Sequence, residues 1–162
     1  MLRAVLDVGT LAAGTICQAG PAGALLGRWR AGEFTLVTCE PLVAAYREVL
    51  SRPRILNWYC GLSNQRIAAC ASTLRGFSQV VSLPASAAQA GDEDWLGGIL
   101  VRCAVEGAAD YIVCGEREPL LRAKECGGIP IVSPTAFMEI LESDRVRRVP
   151  RAQALTEGAA SE

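Results

Sequence analysis

Short apolar runs alternate with longer helical patterns along this chain, and this alternation constrains its fold more than any other feature. Five runs rich in branched apolar residues predict strands, and helical patterns separate them. Strands joined through helices pair in parallel by right-handed crossovers. The sequence therefore predicts an α/β fold, a three-layer α/β/α sandwich around a central parallel sheet of about five strands. The predicted strands are residues 3–8, 33–39, 79–83, 110–115 and 129–132.

The helical patterns are bounded largely by prolines and glycines. They lie at residues 11–29 (interrupted near Pro21), 40–50, 62–77, 95–106, 116–125 and 134–141. Beyond residue 142 the chain has no apolar periodicity and ends in small and charged residues. We therefore expect one domain over residues 1–142 and a flexible tail over residues 143–162.

Composition excludes several kinds of active site. The chain contains no histidine, which removes Ser-His-Asp and Cys-His catalysis and most zinc sites. A net charge of −1 gives no overall basic field for nucleic acid. The seven cysteines are odd in number, include no C-x-x-C pair and lie mostly in apolar runs. We expect them to be reduced thiols of the core.

No apolar run is long enough to cross a bilayer, and the first residues do not have the pattern of a signal peptide. The expected location is the cytoplasm, with no membrane contact.

Acidic side chains follow several of the predicted strands. Asp7 ends the first strand, Glu116 and Glu118 follow the fourth, Glu48 lies in the helix after the second, and three acids occupy 92–94. Because the carboxyl ends of parallel strands meet at one edge, these acids can converge there. Clustered carboxylates are tolerated mainly when a hard cation neutralises them. Acids near helix N-termini are also favoured by the helix dipole alone, so Asp7, at the end of a buried strand, is the strongest candidate.

Five segments of the chain resemble PIN domains, in particular the branch assigned as toxin components of bacterial toxin–antitoxin pairs. They are "RAVLDVGTLAAG", "WRAGEFTLVT", "EPLVAAYREVLSRPRI", "ILVRCAVEGAADYIVCGEREPLL" and "GGIPIVSPTAFMEIL". The resemblance extends from about residue 2 to residue 142, and the order of predicted elements agrees with it.

This resemblance implies a ribonuclease that depends on Mg²⁺ or Mn²⁺, in which the metal activates water and stabilises charge on an RNA phosphodiester. It implies catalytic and metal-binding roles for Asp7, Glu116 and Glu118, with Asp94 or Glu48 as a further metal ligand. It also implies single-stranded RNA as substrate and an antitoxin protein as partner. Four apolar residues of the first helices could form a homodimer interface or could equally belong to the core, namely Leu25, Leu26, Leu42 and Tyr46.

The chain departs from the family pattern at several site positions. Gly9 stands where the first motif has asparagine, Ala45 where a glutamate is usual, and Gly97 or Gly98 where an aspartate is usual. The last motif, usually Thr-Gly-Asp-x-Asp, reads "CGERE" at 114–118. With two expected acids missing, we expect weak metal binding and weak or lost cleavage.

Two alternatives remain open at the level of sequence. One is a non-catalytic PIN-fold module that binds RNA or a protein partner. The other is a small α/β thiol protein that uses Cys114, which the lack of a C-x-x-C pair disfavours. The arginines between residues 145 and 151 could contact phosphate, although they also suit a solvated tail.

Overall fold

A computed structural model of the protein describes residues 1–59, 61–84 and 95–148. Six strands in these ranges form one sheet in the order β3-β2-β1-β4-β6-β5, and every neighbouring pair is parallel except β5 with β6. The strands are Arg3–Leu6 (β1), Thr35–Cys39 (β2), Gln79–Val81 (β3), Tyr111–Val113 (β4), Glu125–Cys126 (β5) and Ile129–Val132 (β6). The predicted α/β class with a mostly parallel sheet is confirmed, and the sixth strand is the two-residue β5.

Seven α-helices connect or flank these strands within the described ranges. They are Val8–Ile16 (α1), Pro21–Arg30 (α2), Glu40–Leu50 (α3), Pro53–Trp58 (α4), Asn64–Phe77 (α5), Trp95–Glu106 (α6) and Pro134–Arg148 (α7). Helix α6 packs on β1, β2 and β4, while α1 packs on α2 and α3. The arrangement is compatible with a three-layer sandwich. None of these helices has the length and apolar character needed to cross a membrane.

The core is built from the apolar runs that define the strands. The side chains of Val5, Leu36 and Ile112, from three adjacent strands, are completely buried. Phe137 of α7 is also buried and packs edge-on against Phe34, with ring centroids 5.2 Å apart. Strands buried in this way explain why the sequence reads as continuous apolar runs rather than as an alternating pattern.

Two elements differ from the sequence prediction near the site. Residues 53–58 form α4, because Pro53 begins a new helix at its first turn instead of only ending α3. The helix predicted over 116–125 is a shorter 3-10 helix, Pro119–Ala123, followed directly by β5.

Helix α7 reaches Arg148, seven residues past the predicted end at Leu141, so the first part of the predicted tail is helical. An ion pair between Arg148 and Asp144, 2.7 Å apart and one turn from each other, supports this extension. Residues 149–162 of the predicted tail lie outside the described residues.

Candidate functional site

The central feature of the site is the point where β1 and β4 end side by side. Asp7 follows β1, and its N–H donates to the carbonyl of Val113, the last residue of β4, over 3.0 Å. Gly115 lies two residues beyond that strand end. The parallel pairing of β1 with β4 therefore brings Asp7 and the 115–118 segment to one edge of the sheet.

The carboxylate of Asp7 caps α1 and is fixed by two backbone groups. Its Oδ1 accepts from the N–H of Thr10 at 2.9 Å, and its Oδ2 accepts from the N–H of Gly115 at 3.3 Å. Asp7 is only 6% exposed. Burial raises the pKa of Asp7 above its ordinary value, and these hydrogen bonds oppose the rise only in part. A nearby cation would favour the ionised form.

Glu118 is the second acid of the site. A turn in which its N–H donates to the carbonyl of Gly115 at 3.0 Å places it just before the 3-10 helix. A methyl group on Gly9 would lie 3.6 Å from Asp7 Oδ2 and 3.7 Å from Glu118 Oε1. Partial burial, and then the charge of Asp7, raise the pKa of Glu118. Both carboxylates therefore face the space beside Gly9.

This space belongs to a cavity of about 370 Å³. Its charged lining residues among those described are Asp7, Glu118 and Arg52. The remaining wall is chiefly apolar and includes Leu42, Val49, Leu96, Leu100 and Leu120. The arrangement can hold a small cation or a ligand with one polar end and an apolar body.

The structure does not bring the other predicted ligands into this cavity. Glu116 is exposed and is not among the lining residues, because the 115–118 turn directs Glu118 there instead. Glu48 has a side chain 77% exposed, and it pairs with Arg52 at 3.9 Å rather than lining the cavity. Asp94 lies outside the described residues. Among the described residues, no group of three or more His, Cys, Asp or Glu side chains is placed to hold a metal.

Sequence reasoning missed Arg52, which lines the cavity from the junction between α3 and α4. Its only signal in the sequence is its position four residues after Glu48, with which it pairs although it lies just beyond the end of α3. Arg52 brings a positive charge to a wall that carries two acids.

The positions where the family pattern expects polar side chains fall in or near the cavity. Gly9 and Gly97 line it, whereas the exposed Gly98 does not. Ala45 is buried on α3, on the same helical face as the lining residues Leu42 and Val49, but it is not itself a lining residue. Of the two candidate positions for the missing aspartate, Gly97 is therefore the one that faces the site.

The donor set is suited to one weakly held divalent cation. Mg²⁺ is commonly held by one or two carboxylates and completes its shell with water and substrate phosphate oxygens. Asp7 and Glu118 supply two carboxylates that face one space, and the pKa of each is raised. These are the two residues that would hold the ion. A third carboxylate would be needed for a tighter site.

Comparison with known proteins gives no family for this chain. It matches no protein-family model, and no curated protein matches it with significance. The cavity and its two acids are therefore the features that indicate a function.

Proposed function

We propose that this chain is a PIN-like protein related in design to the ribonuclease toxins of toxin–antitoxin pairs. In this proposal its metal centre is reduced to Asp7 and Glu118, so that it binds Mg²⁺ or Mn²⁺ weakly and has largely lost RNA cleavage. The observation that carries the proposal is the pair of carboxylates that face Gly9 in a cavity at the carboxyl edge of a parallel sheet.

Charge counting explains the expected weakness. A unit charge contributes roughly 4 kcal/mol at about 4 Å with an effective dielectric near 20. Gly97 contributes no charge to the cavity wall, and Ala45 contributes none from the adjacent face of α3. Losing two such contributions weakens the binding of Mg²⁺, an ion that gives up its water reluctantly.

A bound divalent ion would activate water and stabilise charge on a phosphodiester. The residues of the chain have simpler roles. The amides of Thr10 and Gly115 hold the carboxylate of Asp7 in place. Arg52 offers a guanidinium at the cavity wall for a phosphate oxygen. The apolar wall limits the entry of water.

The chiefly apolar wall also favours a second candidate, a non-catalytic PIN-fold module that binds RNA or a protein partner. An antitoxin and a second copy of the chain are the protein partners that the resemblance suggests. This candidate differs from the first in one respect, since it requires no divalent ion.

The test measures Mn²⁺ affinity by calorimetry and cleavage of a fluorogenic single-stranded RNA with and without chelator. We expect weak Mn²⁺ binding that Asp7→Asn removes, and cleavage barely above background. Robust, chelator-sensitive cleavage that Asp7→Asn abolishes would show that the centre is intact and would overturn the claim of lost catalysis. Unchanged Mn²⁺ binding in Asp7→Asn would place the ion elsewhere and reject the proposed centre.

A further inference from the structure

A groove on the helical side of the molecule is separate from the carboxylate cavity. Two adjoining cavities of about 280 and 310 Å³ share Thr15, Arg66 and Cys70, so they form one continuous depression. The first lies among α1, α2, α3 and α5, and the second extends to the end of α4. Neither shares a lining residue with the 370 Å³ cavity.

The charge of this groove is positive. Arg30 and Arg66 line it, and no acid is among its lining residues in the described part of the chain. Within the same ranges, neither arginine forms an ion pair. Arg66 is oriented by one hydrogen bond, in which its Nη1 donates to the carbonyl of Gly61 at 3.2 Å. Two guanidinium groups without nearby carboxylates suit phosphate oxygens.

Two hydrogen-bonded hydroxyls lie in the wall of the groove, beside apolar side chains that include Leu26, Trp29 and Leu74. The hydroxyls of Thr15 and Tyr46 are 2.7 Å apart and hydrogen-bonded. Burial raises the pKa of Tyr46 to about 12, and the charge of Arg30 opposes this rise. Because Thr15 Oγ1 donates to the carbonyl of Leu11 at 2.9 Å, the neutral hydroxyl of Tyr46 donates to Thr15 and can only accept from a polar ligand.

Aromatic side chains border the other end of the groove. Trp58 is 78% exposed and Tyr59 is 46% exposed, and both line the second cavity with Arg66. Two neighbouring exposed aromatic rings at the end of a groove form an apolar patch, which is the kind of surface that marks interaction sites. Beside arginines, they are the side chains on which single-stranded bases stack.

We propose that this groove binds a single-stranded nucleic acid, with backbone phosphates at Arg30 and Arg66 and bases stacked on Trp58 and Tyr59. Arginines beside exposed aromatic rings favour a single-stranded nucleic acid, because each nucleotide supplies both a phosphate for a guanidinium and a base that can stack. The choice of RNA rather than DNA as the natural ligand rests on the function proposed above.

The test is fluorescence anisotropy with a labelled oligouridylate of about 12 nucleotides, within the range of site sizes of single-strand binding folds. EDTA is present, so no divalent ion contributes. We expect Trp58→Ala to weaken binding about ten-fold and Trp58→Phe to retain most of it. The matched control is Phe77→Ala, because Phe77 is equally exposed at 78% but does not line the groove.

The charge contribution is tested separately through the salt dependence of binding. Arg66→Gln should lower the slope of log affinity against log salt by about 0.7, the value for one phosphate contact on a single strand. Arg147→Gln is the control, since Arg147 is exposed on α7 away from the groove lining. Melting curves of all variants confirm that they fold.

Several results would overturn the groove proposal. One is the absence of binding by the unmodified chain at low salt. A second is an equal loss of affinity in Trp58→Ala and Phe77→Ala. A third is binding of a duplex of the same length as tightly as the single strand. A Trp58→Ala variant that changes from dimer to monomer and still binds the oligonucleotide would assign the groove to a second copy instead.

The outcome is separable from that of the proposed metal centre. The two proposals have separate measurements, since oligouridylate binding is measured in EDTA, where no divalent ion is bound, and the metal centre is tested by Mn²⁺ affinity in the absence of RNA. Groove-dependent binding without any Mn²⁺ affinity would reject the metal centre alone. Asp7-dependent Mn²⁺ affinity without groove-dependent binding would reject the groove alone.

Discussion

Asp7 and Glu118 reach the same space beside Gly9 from two different strand ends, and partial burial, followed by the charge of Asp7, raises the pKa of Glu118. Asp7 is held at the end of β1 by two backbone amides, whereas Glu118 is exposed in a turn after β4. The two acids therefore differ in rigidity, and Asp7 is the fixed member of the pair. A ligand with positive charge would relieve the cost of keeping both ionised.

The raised pKa of Asp7 predicts a pH-dependent gain in stability for Asp7→Asn. An acid whose pKa is raised on folding binds more protons in the folded state, so it destabilises the protein as pH rises above its ordinary value of 3.8. In EDTA at pH 7.5 we expect Asp7→Asn to melt above the unmodified chain. At pH 3 the difference should disappear, because Asp7 is then protonated in both states.

Asp7→Ala is the control for the role of the Asp7 side chain as the N-cap of α1. Asparagine can still accept from the N–H of Thr10, whereas alanine cannot, and loss of an N-cap costs about 1 kcal/mol. Asp7→Ala should therefore melt below Asp7→Asn at every pH. An Asp7→Asn variant that is less stable than the unmodified chain at pH 7.5 would contradict the unfavourable burial of this carboxylate.

The two glutamates of "CGERE" are expected to differ in their effect on Mn²⁺ binding. A ligand at ten times its Kd raises the free energy of unfolding by about 1.4 kcal/mol, which thermal melts detect. Glu118→Gln should reduce the Mn²⁺-dependent rise in Tm, because Glu118 lines the cavity. Glu116→Gln should leave the rise unchanged. The reverse order would mean that the 115–118 turn directs Glu116 to the ion.

The position of Asp7 at the end of a buried strand was predictable from the sequence, but the sequence did not distinguish Glu116 from Glu118. A buried apolar run ending in an acid locates Asp7 without any tertiary information. The choice between the glutamates depends on a turn closed by the carbonyl of Gly115, which neither composition nor periodicity encodes. Strand β5 was missed for a related reason, because two residues are too few to show a pattern.

The role of Arg52 and the aromatic end of the groove were beyond the reach of sequence reasoning because both depend on α4. The six residues of α4 include no buried side chain, so they show no apolar periodicity that would predict a helix. Pro53 is as typical of the end of α3 as of the start of a new helix. Once α4 forms, Arg52 lines the carboxylate cavity and Trp58 lines the groove. The same helix thus contributes to both surfaces.

Two glycines of α2 are expected to respond oppositely to alanine. A methyl group on Gly23 would overlap the carbonyl oxygen of Cys17 and the backbone of Gln18, where α2 approaches the end of α1. We expect Gly23→Ala to lower the free energy of unfolding by about 1–3 kcal/mol. Gly27 is exposed and has open space beside it. Gly27→Ala should therefore raise the free energy of unfolding by about 0.5–1 kcal/mol.

Denaturant titrations of both variants provide the measurement. If Gly23→Ala were as stable as the unmodified chain, the close contact between α1 and α2 would be wrong.

Thiol reactivity is expected to follow burial. The six described cysteines are free, with Cys17 exposed and Cys39, Cys103 and Cys114 buried. Burial, with the charges of Asp7 and Glu118, raises the pKa of Cys114 to about 12, and a thiol that stays protonated is unreactive. Ellman's reagent at pH 8 should modify Cys17 first and Cys114 only after unfolding.

In denaturant without reductant, all seven cysteines of the chain should titrate as free thiols. An intramolecular disulfide found by mass spectrometry in freshly purified protein would contradict the prediction of a reduced core.

The most direct measurement of the central claim restores a charge to the cavity with Gly97→Asp. Position 97 lines the cavity and lies in the first turn of α6, where an aspartate is favoured by the helix dipole. Gly98→Asp is the matched control, because position 98 is exposed and outside the lining. The double variant Ala45→Glu with Gly97→Asp adds the second missing acid. Mn²⁺ affinity by calorimetry should rise at least ten-fold in Gly97→Asp, by about 1.4 kcal/mol or more, with chelator-sensitive RNA cleavage gained in the double variant. No gain in Gly97→Asp, or an equal gain in Gly98→Asp, would contradict the account of a nuclease centre reduced to Asp7 and Glu118.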